Sequence, residues 1–144
     1  MQIFALAWLA FIPLDVFALR LMPEPPDGLR WAAAICVVVG AALTPVAVWE
    51  NRFATPNVQD QGAAGQHVVD TGVYALIRHP IYAGNLLLFG GVAIWLGSWA
   101  ALAGAGVLLV ATVGRILIEE AHLRANVSGY LEYAKRVRSR LIPF

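Results

Sequence analysis

Four apolar stretches divide this chain, and their lengths constrain its fold more than any other feature. They lie at about residues 1–22, 29–49, 81–96 and 99–118. A helix needs about 20 predominantly apolar residues, with a lower limit of about 17, to cross a hydrocarbon core roughly 30 Å thick. Backbone groups find no water there, so a crossing segment satisfies its hydrogen bonds internally, as a helix does. The sequence therefore predicts an all-α integral membrane protein with four transmembrane helices.

Composition supports this fold class and excludes several functions. The 144 residues are 60% hydrophobic and 13% charged, with a mean hydropathy of +0.69, whereas soluble domains carry about 25% charged residues. A net charge of +1 excludes nucleic-acid binding that depends on bulk basicity. The lone Cys36 excludes a disulfide framework, and the three histidines lack the spacing of metal ligands, so we expect no metal site.

We interpret residues 1–144 as a single membrane domain. A polar loop at 50–80 joins the second and third spans, and a tail at 119–144 follows the fourth. Loops of this length are usually functional or disordered, and we interpret residues 50–72 as a partly ordered lid or substrate-access segment. Apolar residues recur in the tail at helical intervals, which predicts an amphipathic helix or helix pair folding back over the membrane mouth.

Basic residues predict the orientation in the membrane. If the spans alternate, only Arg20 and Arg30 lie on one side of the bilayer. The opposite side then carries Arg52, Arg78, Arg124, Lys135, Arg136, Arg138 and Arg140. Lys and Arg are in excess on the cytoplasmic side, so both termini should be cytoplasmic and the pocket should face the cytoplasm.

Polar chemistry meets an apolar helix in the segment 71–84, Thr-Gly-Val-Tyr-Ala-Leu-Ile-Arg-His-Pro-Ile-Tyr-Ala-Gly. Pro80 has a fixed φ and no N–H, which suits the first turn of a helix. Arg78 and His79 therefore lie at the mouth of the third predicted span. Gly72 permits a close backbone approach, and the nearby tyrosines suit a water–lipid boundary.

Five short motifs occur in a fixed order along the second half of the chain. Gly72-x-Tyr74 precedes Arg78-His79-Pro80-x-Tyr82, then comes Arg115-x-x-x-Glu119-Glu120, and Gly129-Tyr130-x-x-Tyr133 leads to Arg140-Leu141-Ile142-Pro143. In this order and spacing the chain resembles the isoprenylcysteine carboxyl methyltransferase and phospholipid methyltransferase membrane superfamily. Val73 stands where that pattern usually has proline.

The resemblance implies methyl transfer from S-adenosylmethionine to a hydrophobic or amphipathic acceptor, with the lipid bilayer as partner in a prokaryotic cell membrane. The cofactor has a carboxylate, an ammonium, a sulfonium and an adenine, which acids, bases and aromatic rings can bind. The implied cofactor-binding residues are Gly72, Tyr74, Arg78, His79, Tyr82, Glu119 and Glu120. The implied catalytic residues are Glu120, Arg140 and His122. The acceptor atom stays open: a carboxylate or thiolate needs only positioning, whereas an amine would need Glu120 or His122 as base.

Each of these residues also has a structural interpretation. Glu119 and Glu120 suit a solvated helix end, paired with Arg115 and Arg124 at i,i+4 spacing. Tyr130 and Tyr133 suit packing of the tail more than a role in the pocket. Two other functions also stay open, namely an NADPH-dependent membrane reductase of the sterol or isoprenoid type and a non-catalytic membrane subunit.

Overall fold

The computed structural model describes residues 2–51, 53 and 67–143, and every regular element in this part of the chain is helical. The prediction of an all-α fold is thus confirmed. The helices are α1 (Gln2–Leu14), α2 (Asp27–Glu50), α3 (Pro80–Leu96), α4 (Trp99–Asn126) and α5 (Tyr130–Arg136), with a π-helical turn at Asp15–Leu19 and a 3-10 turn at Gly72–Ala75. Most of the interpreted lid, residues 52 and 54–66, lies outside the described residues.

Two helices, α2 and α4, are long and apolar enough to cross a membrane by length and composition. The apolar helix α3 is shorter, with 17 residues, so four crossings stay a prediction. Pro80 is the first residue of α3, as its ring and missing N–H predicted.

The first part of the tail belongs to α4, because this helix does not end at residue 118. It continues through the glutamate pair to Asn126, since no glycine or proline interrupts it before Gly129. Gly129 has a φ of 80°, a left-handed conformation that separates α4 from α5. The amphipathic helix of the tail is therefore the seven residues of α5.

Contacts along the chain define two compact units, Met1–Ala41 with Asn85–Ala111 and Ala42–Gly84 with Thr112–Phe144. The core of the first unit consists of Trp8, Ile12, Ala93, Ala101 and Ala105. Within it, Trp8 Nε1 donates a hydrogen bond to the Ala101 carbonyl at 2.7 Å. A Cβ at Gly104 would lie 2.7 Å from Trp8 Cδ1, so this glycine makes room for the indole.

Asp15 has a structural role in the first unit. It is 3% exposed, and its carboxylate accepts hydrogen bonds from the Ser98 hydroxyl at 2.5 Å and the Leu21 N–H at 3.1 Å. The Ser98 hydroxyl in turn accepts from the Ala101 N–H at 3.0 Å, at the start of α4. The carboxylate thereby joins the π-helical turn to a helix N-terminus, where negative charge is favourable.

In the second unit, the C-terminal segment pairs with the residues that precede α3. Arg78 N–H donates to the Ser139 carbonyl at 3.0 Å, and His79 N–H donates to the Arg140 carbonyl at 2.9 Å. The Tyr133 hydroxyl of α5 donates to the Tyr74 carbonyl at 2.8 Å. These bonds bring sequence motifs about 60 residues apart into one unit.

Candidate functional site

Gly72 gives the 3-10 turn its shape by making room for a carboxylate. Its φ is 51°, and a Cβ there would lie 1.9 Å from Glu50 Oε1. Glu50, the last residue of α2, accepts a hydrogen bond from the Val73 N–H at 2.9 Å. The backbone N–H next to Gly72 therefore already has a partner in the protein, the Glu50 carboxylate. Tyr74 follows in the turn, and burial raises the pKa of its hydroxyl to about 12.

Replacing Gly72 by alanine should lower the free energy of unfolding by about 2 to 4 kcal/mol, because the methyl group strains a left-handed residue and displaces the Glu50 carboxylate from its bond. Thermal unfolding in detergent measures the loss. Gly28→Ala is the matched control, since no heavy atom lies within 4 Å of its added Cβ. Equal melting of the two variants would contradict the close contact between Glu50 and Gly72.

Glu120 is the centre of the candidate site. Its carboxylate is buried, with a side chain 4% exposed. The groups within 3.3 Å of its oxygens are Arg78 Nη2 (3.3 Å), His79 Nε2 (3.3 Å), Arg124 Nη2 (3.3 Å) and the Nε and Nη2 of Arg140 (3.1 Å each). Bidentate pairing of this kind is the strong form of an arginine–carboxylate contact, and it raises the pKa of Arg140.

Two of these four side chains are buried and two reach the surface. The side chains of Arg78 and His79 are 5% and 3% exposed, whereas those of Arg124 and Arg140 are each 47% exposed. Arg78 Nη2 also donates to the Arg138 carbonyl at 3.3 Å. The solvated i,i+4 pair expected from the sequence thus exists between Glu120 and Arg124, but its carboxylate lies in the interior.

Glu119 belongs to a second network beside the first. The Tyr82 hydroxyl donates to Glu119 Oε2 at 2.8 Å and accepts from Arg115 Nε at 2.7 Å. The Glu119 side chain is 30% exposed, and its Oε1 lies 3.9 Å from His79 Nδ1. The rings of His79 and Tyr82 are 5.7 Å apart and inclined by 30°. This network therefore places the partly exposed carboxylate of Glu119 next to the tilted ring pair of His79 and Tyr82.

His122 has a more restricted geometry than its sequence position suggests. The Asn126 amide nitrogen donates to the His122 carbonyl at 2.9 Å and lies 3.1 Å from Nδ1 of the ring. Since an amide nitrogen only donates, Nδ1 accepts and Nε2 carries the proton. Nε2 is buried and has no hydrogen-bond partner among the described residues.

The structure thus gathers most of the predicted residues into one unit. Around Glu120 lie Arg78, His79 and Arg140, and Tyr82 with Glu119 lies alongside them. Gly72 and Tyr74 instead contact Glu50, Asn51 and Tyr133. Sequence reasoning missed Glu50, which carries no motif. In the described part of the chain, no group of three or more His, Cys, Asp or Glu side chains is arranged to hold a metal ion.

Comparison with known proteins shows similarity to a family model and to solved structures. The sequence model of phospholipid methyltransferases matches residues 29–127, more than half of the chain. A solved structure described as the eukaryotic intramembrane Ras methyltransferase ICMT (isoprenylcysteine carboxyl methyltransferase), without a monobody, is similar with a TM-score of 0.76 and 26% sequence identity. That similarity covers 99% of this chain and 52% of the other, so this chain spans about half of its length. No curated protein matches the chain.

Proposed function

Because the chain belongs to the phospholipid methyltransferase family, we propose that it transfers a methyl group from S-adenosylmethionine to a hydrophobic or amphipathic acceptor at the membrane. The observation that carries this proposal is the convergence of Arg78, His79 and Arg140 on the buried Glu120, with the partly exposed Glu119 beside them. We place this site on the cytoplasmic side of a multi-pass protein, in accord with its basic residues.

The residues present fit the amino-acid end of the cofactor. An ammonium needs an anion that a ligand can reach, and Glu119 is one, because its side chain is 30% exposed and is oriented by a short bond from Tyr82. Glu120 is instead surrounded by three guanidinium groups and the His79 ring, and it serves to orient Arg78 and His79. Arg78 is then the cation for the cofactor carboxylate.

Aromatic surface is available for the rest of the cofactor. His79 and Tyr82, with ring centroids 5.7 Å apart, offer faces to an adenine or to a sulfonium by cation–π attraction. When bound, S-adenosylmethionine supplies an electrophilic methyl group on its sulfonium. The task of the protein is then to align the acceptor with that methyl group and to exclude water.

The half-exposed arginines suit an anionic acceptor. Arg140 and Arg124 are held at Glu120 yet remain 47% exposed, so their guanidinium groups can bind a carboxylate from the surface. A carboxylate held by three guanidinium groups is a weak base, and Nδ1 of His122 already accepts from Asn126. The predicted bases are therefore poorly placed to deprotonate an amine. This favours an acceptor that attacks as an anion, as the carboxyl group named for the similar solved structure would.

Saturating S-adenosylhomocysteine should raise the thermal stability of the purified protein in detergent, because a ligand that prefers the folded state stabilises it by about 2.7 kcal/mol at 100 times its Kd. NADPH should produce no shift. The complementary assay follows transfer of a labelled methyl group to lipid extracts and to farnesylated cysteine. A shift with NADPH and none with S-adenosylhomocysteine would favour the reductase instead.

A further inference from the structure

Three buried polar atoms of the second unit have no hydrogen-bond partner among the described residues: Nε of Arg78, the hydroxyl of Tyr130 and Nε2 of His122. Tyr130 as a whole is 4% exposed and Arg78 is 8% exposed. Buried polar groups are almost always paired, because an unpaired one keeps the full cost of its removal from water. Each unpaired donor therefore needs an explanation, and the charge interaction between Arg78 and Tyr130 points to a shared one for these two.

The Tyr130 hydroxyl lies in the electrostatic field of the candidate site. Burial and, to a smaller extent, the charge of Glu120 raise the pKa of Tyr130 to about 12, and the charge of Arg78 acts in the opposite direction. The hydroxyl therefore keeps its proton at neutral pH and is a donor. Its neighbour on α5, Tyr133, is equally buried but donates to the Tyr74 carbonyl. A structural role explains both the ring and the hydroxyl of Tyr133, whereas for Tyr130 it explains the buried ring but not the unpaired hydroxyl.

Charge shows which ligand these two donors would take. Both the Arg78 Nε–H and the Tyr130 O–H donate, so their common partner is an acceptor, and the positive charge of Arg78 favours an anion. The carboxylate of Glu120 pairs with Nη2 of Arg78, and the Nε–H of Arg78 remains without a partner among the described residues. Because both side chains are buried, the ligand must be small at this point, and the exposed Arg124 and Arg140 remain for the acceptor.

We propose that Tyr130 and Arg78 form a buried carboxylate site, in which the Tyr130 hydroxyl and Arg78 Nε–H bind the carboxylate of the cofactor's amino-acid moiety. This inference rests on the proposed function and adds Tyr130 as a binding residue. Each charged group of the amino-acid moiety then meets a residue of opposite charge. The carboxylate binds Arg78 with Tyr130, and the ammonium binds Glu119. Tyr130 thereby confers selectivity for ligands that carry the carboxylate.

The test compares S-adenosylhomocysteine with its decarboxylated analogue, which keeps the adenosine and the ammonium. Tyr130→Phe should weaken binding of S-adenosylhomocysteine by about tenfold or more, as expected when a hydrogen bond to a charged group is lost, and should leave binding of the analogue within about twofold. Calorimetric titration of the detergent-solubilised protein measures both affinities. The unliganded variant should melt no lower than the parent, because phenylalanine removes an unpaired hydroxyl from the interior.

Tyr133→Phe is the matched control, on the same helix and equally buried. It removes a bond that is made in the protein itself, so it should lower the melting temperature and leave the ratio of the two affinities unchanged. If Tyr130→Phe keeps the parent's affinity ratio, the carboxylate site is overturned while the proposed function stands. If the parent protein binds S-adenosylhomocysteine not at all, the proposed function fails and this inference fails with it.

Discussion

Glutamine at position 120 should lower the free energy of unfolding by about 3 to 5 kcal/mol, the usual cost of breaking a buried ion pair from one side. The substitution keeps the shape of the side chain but removes the charge that compensates Arg78, whose side chain is 5% exposed. Arg124 and Arg140 add little to this loss, because their half-exposed guanidinium groups are stabilised by solvent. Thermal unfolding in detergent measures the change.

Glu24→Gln is the control for Glu120→Gln. Glu24 pairs with Arg30 at 3.5 Å, but the two side chains are 80% and 37% exposed, so the expected loss is about 0.5 kcal/mol or less. A second variant, Glu120→Gln with Arg78→Gln, should recover part of the stability because it removes the uncompensated buried charge. Similar losses in Glu120→Gln and Glu24→Gln would mean that the Glu120 carboxylate is solvated.

Periodicity and length were sufficient to predict the helices of this protein. The apolar runs at 29–49 and 81–96 correspond to α2 and α3, and Pro80 opens α3 for a reason that is local to its own ring. The fourth predicted span, at 99–118, lies within α4, which continues to Asn126. Charged residues 119 and 120 suggested the end of an apolar span, but charge alone does not interrupt a helix that continues into protein contacts.

The partners of the site residues were harder to predict, because they depend on contacts distant in sequence. Spacing at i,i+4 predicted a pair between Arg115 and Glu119, and the structure places the Tyr82 hydroxyl in contact with both side chains. Glu50 offered no motif at all, although its carboxylate explains why position 72 is glycine. Only the tertiary fold brings the end of α2 to this turn.

Tyr130 is a second case in which the sequence could not predict a hydrogen-bond partner. Its spacing from Tyr133 predicted two tyrosines with a common packing role, and both are indeed buried. Helical spacing cannot distinguish a hydroxyl that finds a backbone carbonyl from one that does not, since the carbonyl belongs to Tyr74, far away in the chain. The difference between packing and binding therefore lies in hydrogen bonding, which the sequence pattern does not encode.

Glu119→Gln should weaken binding of S-adenosylhomocysteine by about 2 kcal/mol, or roughly 30-fold, if Glu119 binds the ammonium. The Glu119 side chain is 30% exposed, so its loss should cost the unliganded protein much less stability than the loss of Glu120. Methylthioadenosine lacks the whole amino-acid moiety and should bind the variant and the parent equally. Titration of both ligands separates the loss of one charge contact from a general disturbance of the pocket.

The bond from Tyr82 predicts that this effect is coupled to a second residue. The Tyr82 hydroxyl donates to Glu119 at 2.8 Å and accepts from Arg115 at 2.7 Å. Tyr82→Phe therefore frees the Glu119 carboxylate to rotate and should also weaken the binding of S-adenosylhomocysteine. Because both substitutions affect one contact, the double variant should lose less affinity than the sum of the single losses, with a coupling of about 0.5 to 3 kcal/mol. Glu132→Gln, on the exposed surface of α5, is the control, and it should leave the affinities for S-adenosylhomocysteine and for methylthioadenosine unchanged. Strict additivity of Glu119→Gln and Tyr82→Phe would mean that Tyr82 does not orient Glu119, and unchanged binding in Glu119→Gln would place the ammonium elsewhere.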